Sequence, residues 1–544
     1  MVRLVQVKNR RVHVDILISG AGPVGLTCAL LLRNLGVSVA VLEGREGTIR
    51  APQAHVVSSR SLEILTEAGI PETVLREQAS PFSEIPAVRW VDSLTGLQHG
   101  CFEFINAERA ERIIAATPTP IANISQSRLE PLLLAGARKA GAEVFFGHRW
   151  QGTEEQPDGS LISVAATQEG EVDFISSFLL ACDGASSDIR HHLGIEMIGP
   201  ELVQSFVGIH FKADLTPLLA HRPGLLFEFV GGSASGFFIC HRAASDWVFM
   251  HPYDSSSRSR QWFTEERVRG LLREAIGADV PLEISSVAPW RMSSQVADRY
   301  REKSIFLLGD AAHRFPPTGG IGMNTGIGDA HNLCWKLGMV LRGKANAALL
   351  DTYEDERKPV AVTNARQSLK NYHKMAAIEE ALTQGGDVQK EIDAQPEHFD
   401  MLGLDLGYRY RSAAIRGDDT PDAIVKNVVT DVPRSLIPGY RLPHAWLPRE
   451  DGRSSTLGLV RSNEFVLLTG AEGDVWKDVP VPWCAEASQE LFERLGDLSP
   501  RAAILVRPDG HIAWVAHEVP EDPAAVIRNV IQEICHPPSA NRTP

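Results

Sequence analysis

The first 45 residues alternate between short apolar runs and glycine. Val14 to Ser19 is a brief run with β-branched residues, of the kind that suits a strand buried in a parallel sheet. Gly20, Gly22 and Gly25 follow in G-x-G-x-x-G spacing, after which Leu26, Ala29, Leu30 and Leu32 recur at helical intervals. A second apolar run, Val37 to Leu42, ends at Glu43. The pattern predicts a strand, a tight turn, a helix and a second strand tipped by an acid.

Further along, the pattern predicts a helix from Ser61 to Ala68 stopped by Gly69, and another opening at Ile124 and running towards Ala140. Strands are expected at Glu143–Gly147, Leu161–Thr167 and Phe174–Cys182, the last leading into Asp183-Gly184 with Arg190 nearby. From about Ile195 to Trp290 the runs are short, rich in aromatics and without intervening helices. Phe206–Phe211, Leu225–Val230, Gly236–Cys240 and Trp247–His251 predict an antiparallel sheet forming a second lobe. Its aromatics Phe227, Phe229, Phe237, Phe238, Trp247 and Phe249 are expected chiefly in a core. A sheet beside a nucleotide fold also suits the floor of a site for a flat apolar molecule. The chain then returns to the first fold. Ser304–Asp310 reads as a buried strand ending in an acid, and five glycines between 319 and 328 open a long helix to about Leu341. Tyr353 to Arg357 stays helical, and 384–395 reads as a polar, acidic surface connection. From about Gly439 to Cys535 a small separate α/β domain is expected, with strands at Phe465–Thr469, Ala503–Val506 and Ile512–Val515 and a helix at Pro523–Cys535.

The glycine spacing carries the first chemistry. Gly20 permits the tight turn, Gly22 lets a pyrophosphate approach the backbone, and Gly25 lets helix and strand pack closely. The helix N-terminus offers unpaired N–H groups to phosphates. Glu43, eighteen residues past Gly25, stands where a carboxylate accepts hydrogen bonds from ribose hydroxyls. The expectation is a dinucleotide site, with the motif itself leaving NAD and FAD open.

Composition narrows the surroundings. At 544 residues the chain has length for two to four domains. A net charge of −14, from 68 acids against 54 bases, argues against a nucleic-acid or anionic-membrane partner. The seven cysteines are scattered without a C-x-x-C pair, which fits reduced thiols and a cytoplasmic location. Met1 to His13 is basic but lacks an apolar core, so it reads as a short, poorly ordered extension and not as a secretory signal. No run approaches the roughly 20 apolar residues that span a bilayer.

Three motifs in order resemble the single-component FAD-dependent aromatic hydroxylases, the flavoprotein monooxygenases related to phenol hydroxylase and para-hydroxybenzoate hydroxylase. They are Gly20-Ala-Gly-Pro-Val-Gly25 with Glu43, Cys182-Asp-Gly184, and Gly309-Asp-Ala-Ala-His313 leading to Pro316-Pro317 and Gly319-Gly-Ile-Gly-Met-Asn324. Residues 395–535 resemble the thioredoxin-like C-terminal domain of the phenol hydroxylase branch, through Leu402–Tyr410, Pro438–Trp446 and Leu505–Gly510. The resemblance implies an α/β fold: a Rossmann-type FAD-binding domain (1–195 and 291–395), an inserted antiparallel-sheet substrate domain (196–290) and a thioredoxin-like domain (396–544). By position it implies that Gly20, Ala21, Gly22, Pro23, Val24 and Gly25 face the FAD pyrophosphate, with Glu43 and Arg45 towards the adenosine ribose. Gln126 matches a glutamine beside the FAD linker, and Asp183 a motif linked to both FAD and the nicotinamide cofactor. Asp310 is expected on the ribityl chain, and Pro317, Gly320, Gly322, Met323 and Asn324 around the flavin. Two departures stand out. Gln53 occupies the place where the family often has an arginine near the flavin, with Arg50 as a substitute. The C-terminal domain has no C-x-x-C, which leaves it a structural or oligomerising role; a homodimer is compatible with that, and the sequence leaves the oligomeric state open.

The activity implied is hydroxylation of a phenolic or polycyclic aromatic substrate with NADH or NADPH and dioxygen, through a flavin hydroperoxide, the cofactor carrying the hard chemistry. His55 is the candidate base for the substrate hydroxyl, as at the same loop position in some phenol-type members; the alternative is a histidine that only hydrogen-bonds within its loop. His241, Arg242 and Tyr253 are weaker candidates, and His313 reads as a packing residue. The competing functions are a Baeyer–Villiger oxygenase or epoxidase on a polyketide, a non-catalytic FAD-binding protein, and a plain NAD dehydrogenase, against which Asp183 and Asp310 weigh.

Overall fold

The computed structural model of the chain describes residues 10–538, apart from 418, 450–451, 461–462, 471, 477–478, 480–482 and 487–497. The first apolar run becomes the strand Ile16–Ser19, followed by the helix Pro23–Asn34 and the strand Val39–Glu43. Pro23 opens the helix where a missing N–H costs nothing. Ile16–Ser19 pairs in parallel with Val39–Glu43 on one side and with Phe178–Ala181 on the other. The complete sheet has six strands in the order Arg301–Glu302, Ile305–Leu307, Phe178–Ala181, Ile16–Ser19, Val39–Glu43, Glu143–Phe146. Ile305–Leu307 therefore returns the chain to within two strands of the glycine turn. Contact there is close: a methyl on Gly309 would sit 2.9 Å from Val24 Cγ2.

The expected strand Phe174–Cys182 is two. Gly170–Ser176 belongs to a separate four-stranded sheet and Phe178–Ala181 to the six-stranded one. The expected N-terminal extension is also corrected. Arg10–His13 is a strand, paired in parallel with Val172–Ile175, while residues 1–9 lie outside the described residues.

The second lobe is a seven-stranded sheet in the order Glu283–Met292, Gln204–Lys212, Asp246–Tyr253, Gly236–Arg242, Leu226–Phe229, Ala87–Val91, Gln98–Glu103. Its last two strands come from the middle of the first FAD-binding stretch. One expectation fails here, because a helix, Glu265–Ile276, precedes the final long strand. Its signals are plain: Thr264 caps it, Glu265 and Glu266 sit in the first turn, and Gly277 ends it with φ 74°. Val268, Leu272, Ala275 and Ile276 form its buried stripe, packed on Phe211, Phe227, Phe238, Trp247 and Phe249 from one face of the sheet. Alternation along the strands turns the other face towards a cavity.

The helices Gly322–Leu341 and Thr352–Thr383 carry the chain back along the FAD-binding lobe. The stretch expected as a surface connection contains a short helix, Val388–Asp393, whose Val388 and Ile392 are buried against the sheet edge. The C-terminal domain has a four-stranded sheet in the order Trp483–Glu486, Val466–Thr469, Ala503–Val506, Ile512–Ala516, with the first pair parallel and the others antiparallel. That order and the closing helix Pro523–Cys535 are those of a thioredoxin-like domain. It is joined to the FAD-binding lobe through buried charge: Arg507 donates to both carboxylate oxygens of Glu356, at 2.6 and 2.9 Å, and Lys336 Nζ donates to Glu356 at 2.8 Å. Among the described residues no helix is long and apolar enough to cross a membrane.

Candidate active site

A cavity of about 1790 Å³ runs from the glycine turn, past the loops 51–56, 183–186 and 310–323, to the open face of the seven-stranded sheet. It is larger than the ~300–1,000 Å³ of a site for one small molecule, as a dinucleotide and a second guest together require. Of the expected residues, Gly20, Gly22, Pro23, Val24, Glu43, Arg45, His55, Gln126, Asp183, Asp310, Pro317, Gly320, Gly322 and Met323 line it.

Ala21, Gly25 and Asn324 do not line the wall; they hold it in shape. Ala21 is buried and its N–H donates to Glu43 Oε2 at 3.0 Å, tying the turn to the tip of the second strand. Gly25 lies against the Gly20 carbonyl, so that any Cβ there would collide with backbone. The Asn324 amide donates to the Val56 and Gly320 carbonyls at 2.9 and 2.7 Å and accepts from the Ser58 N–H at 2.9 Å. It staples the 319–322 turn to the loop that carries His55.

The site fits an FAD. Gly20, at φ 109°, makes the turn that only glycine makes easily, and nothing lies within 4 Å of where a Cβ on Gly22 would be. The helix Pro23–Asn34 has neither a capping side chain nor an acid in its first turn, so its N–H groups face the cavity unopposed. The helix Gly322–Leu341 starts in the same way at the other side. Asp183 Oδ2 accepts from the Ile189 N–H at 3.2 Å, while buried Oδ1 has no partner among the described residues. The buried Arg190 guanidinium donates to the carbonyls of Ala311 and Ala185, at 3.1 and 3.2 Å, and so clamps the Asp183 loop against the Asp310 loop. Glu43 also accepts from Arg45 Nε and Nη2, and Gln126 donates to Glu130, which accepts from the Ile49 N–H. Burial would raise the Glu43 carboxyl, but Arg45 and the Ala21 N–H hold it below its ordinary value.

His55 lies beside this cradle, in the loop fixed by Ile124 N–H to the His55 carbonyl (2.8 Å) and Gln126 N–H to the Ala54 carbonyl (2.7 Å). Its Nδ1 is 2.6 Å from Asn123 Oδ1. Behind it, Asn123 Nδ2 donates to Ser80 Oγ at 2.9 Å, and Ser80 gives its single hydroxyl proton to the His241 carbonyl at 2.6 Å. The chain runs in one direction only, so Asn123 presents its oxygen to His55 and Nδ1 must be the donor. Nε2 keeps its lone pair and makes no hydrogen bond with the described residues. Burial pushes the imidazole below its usual pKa, with the Asn123 bond opposing, so it is neutral at pH 7.

Sequence reasoning did not find Asn123 or Ser80, since their role appears only when two distant segments meet. It did not find Glu228, Trp90, Arg109 or Arg314 on the wall either. Gln53 lines the cavity, whereas Arg50, its suggested substitute, does not. His241 is buried with its ring edge-on to His55, centroids 5.4 Å apart, and burial lowers its pKa to about 3. Tyr253 is in the core against Phe263, and Arg242 donates to the Ala79 carbonyl. His313 is buried, bonded to Asp329 at 2.7 Å and stacked on Phe315.

Comparison with known proteins agrees with this site. Residues 13–368 match a family described as FAD binding domain, and residues 435–538 match one described as aromatic-ring hydroxylase, C-terminal. The chain is 34% identical to a 4-methyl-5-nitrocatechol 5-monooxygenase of Burkholderia sp., over 96% of this chain and 98% of that protein. Among solved structures, the flavin-dependent monooxygenase PieE in complex with FAD and substrate superposes with a TM-score of 0.87, at 30% identity over 96% of this chain and 99% of that one. A ternary complex of aklavinone-11 hydroxylase with FAD and aklavinone gives 0.82, also at 30% identity, over 96% and 99%. With both families matched in order and relatives aligned along nearly the whole length, this chain belongs to the single-component FAD-dependent aromatic hydroxylases, enzymes of the class A flavoprotein monooxygenase type.

Proposed function

We propose that this hydroxylase acts on a phenol, with NADH or NADPH as reductant and dioxygen as the oxygen source, and that His55 is its base. Bound FAD would supply the activation of dioxygen, one atom of which goes to the ring and the other to water at the expense of the nicotinamide reductant. Gly20, Gly22 and the N-terminus of Pro23–Asn34 would hold its pyrophosphate, Asp310 its sugar-alcohol portion and the 317–323 turn its ring, with Asp183 towards FAD and the nicotinamide cofactor; all border the cavity. The observation that carries the reading is the His55–Asn123–Ser80 chain, which leaves a neutral imidazole with Nε2 unbonded on the cavity wall. From there Nε2 takes the proton of a substrate hydroxyl, and the ring left behind is richer in electrons at the carbon to be oxygenated. The apolar walls keep water from the reacting atoms.

The test is substrate-stimulated oxidation of NADH and NADPH with a panel of phenols, together with mass spectrometry for an added oxygen. His55→Ala should lower the hydroxylation rate by about 10²–10⁴-fold, with partial recovery at alkaline pH, where the phenol ionises unaided. An unchanged rate and pH profile would remove His55 from the mechanism.

A further inference from the structure

The register of the seven-stranded sheet places one transverse row on the cavity face: Ala288, Gly208, Met250, Phe237, Glu228 and Trp90 are successive cross-strand partners. All six line the cavity. Five of them offer carbon, sulfur or an aromatic ring to a flat guest, and the sixth is an acid. The Glu228 carboxyl makes no hydrogen bond or ion pair with any described residue, although its strand neighbours Phe227 and Phe229 are firmly in the core. An unpaired carboxyl in an apolar wall is costly, and here burial, with Glu379 near the same end, pushes it up to about 8. It is thus a neutral acid at pH 7, able to donate one hydrogen bond and accept others.

Its distance from the chemistry follows from the same sheet. Phe237, the partner of Glu228, lies four residues along its strand from His241, whose ring touches His55. That is about 13 Å of strand, longer than one benzene ring. A guest whose reacting hydroxyl faces His55 reaches Glu228 only with a second ring. The helix Thr352–Thr383 flanks this end with Tyr372, Met375 and Glu379, so a carboxylate on the guest would meet that of Glu379.

Resting on the proposed reading of His55 and its phenolic substrate, we propose that Glu228 is the specificity-determining residue for the far end of that substrate: it hydrogen-bonds a hydroxyl or carbonyl on a second fused ring, where Glu379 beside it disfavours a carboxylate. The preferred substrate class is therefore a neutral, multi-ring phenol carrying a polar group opposite the ring that is oxygenated.

Three probes test this on the FAD-loaded enzyme: 2-naphthol, 2,6-dihydroxynaphthalene and 6-hydroxy-2-naphthoate. Titration calorimetry gives binding, and product analysis gives hydroxylation. The wild type should bind the diol at least tenfold more tightly than 2-naphthol, and the naphthoate most weakly. Glu228→Leu should abolish the preference for the diol, Glu228→Gln should keep it, and Glu379→Gln should bind the naphthoate better than the wild type does. Equal ranking of the three probes by the wild type and Glu228→Leu would overturn the proposal. If instead no probe and no single-ring phenol is hydroxylated by the wild type, the reading of the substrate as a phenol fails, whichever way the binding ranks.

Discussion

His55 Nδ1 and Asn123 Oδ1 lie 2.6 Å apart, and Ser80 behind Asn123 fixes which of them carries the proton. An amide in that position orients the imidazole without adding charge to it. Asn123→Asp should place a carboxylate beside the Nδ1 proton and raise the histidine pKa. In the wild type the acid limb of kcat/KM is expected below the ordinary imidazole value of 6.5, since burial lowers it. Below its pKa the ring is already protonated and accepts nothing, so the limb should move to higher pH in the aspartate variant. A pH profile of hydroxylation measures the shift directly.

Two glycines of the turn should separate by phenotype. Gly25→Ala drives a methyl into the Gly20 carbonyl and should cost about 1–3 kcal/mol or more in stability, with FAD lost as well. A methyl on Gly22 meets no atom of the described residues within 4 Å, so Gly22→Ala should fold with nearly wild-type thermal stability as apoprotein yet retain FAD poorly. Melting curves with and without added FAD, and the flavin content of purified protein, distinguish the two.

Asn324 joins the 319–322 turn to the histidine loop by three hydrogen bonds. Asn324→Ala should cost about 2–3 kcal/mol, because it leaves the Ser58 N–H and two carbonyls to find new partners. FAD affinity and hydroxylation should fall together, as both loops border the cavity. Denaturant unfolding and flavin titration check this.

Burial alone would raise the Glu356 carboxyl, yet Arg507 and Lys336 hold it far below its ordinary value of 4.5. A carboxyl depressed by folding contributes stability that is fully present above 4.5 and fades as pH falls towards the folded value. Glu356→Gln should therefore destabilise the protein by about 3–5 kcal/mol at pH 7, because buried Lys336 loses its carboxylate and Arg507 keeps only Asp509. The gap between variant and wild type should narrow progressively below pH 4.5. Thermal melts from pH 7 down to pH 3 give the comparison.

Much of this was legible because local pattern and tertiary demand agree at the nucleotide end. Glycine spacing, the apolar strand Ile16–Ser19 and the acid at Glu43 each dictate the same strand–turn–helix. The sheet lobe was less so. Its aromatic runs announced strands, but Ala87–Val91 and Gln98–Glu103 join it from far upstream, and only cross-strand pairing reveals that. The helix Glu265–Ile276 carried its cap, its apolar stripe and its terminal glycine openly, yet was hidden among strand-like neighbours. Glu228 carried no signal in the sequence, since nothing local marks which face of a strand looks into a cavity.

Period-two alternation in the sheet lobe divides its labour by parity. Along Leu226–Phe229, Gly236–Arg242 and Asp246–Tyr253, one set of side chains meets the helix behind and the next lines the cavity. Evolution, or a protein engineer, can thus rewrite what the enzyme accepts at positions 226, 228, 237, 239, 248 and 250 while leaving Phe227, Phe238 and Phe249 to keep the lobe intact. Substrate range and foldability are encoded in adjacent letters of the same three words.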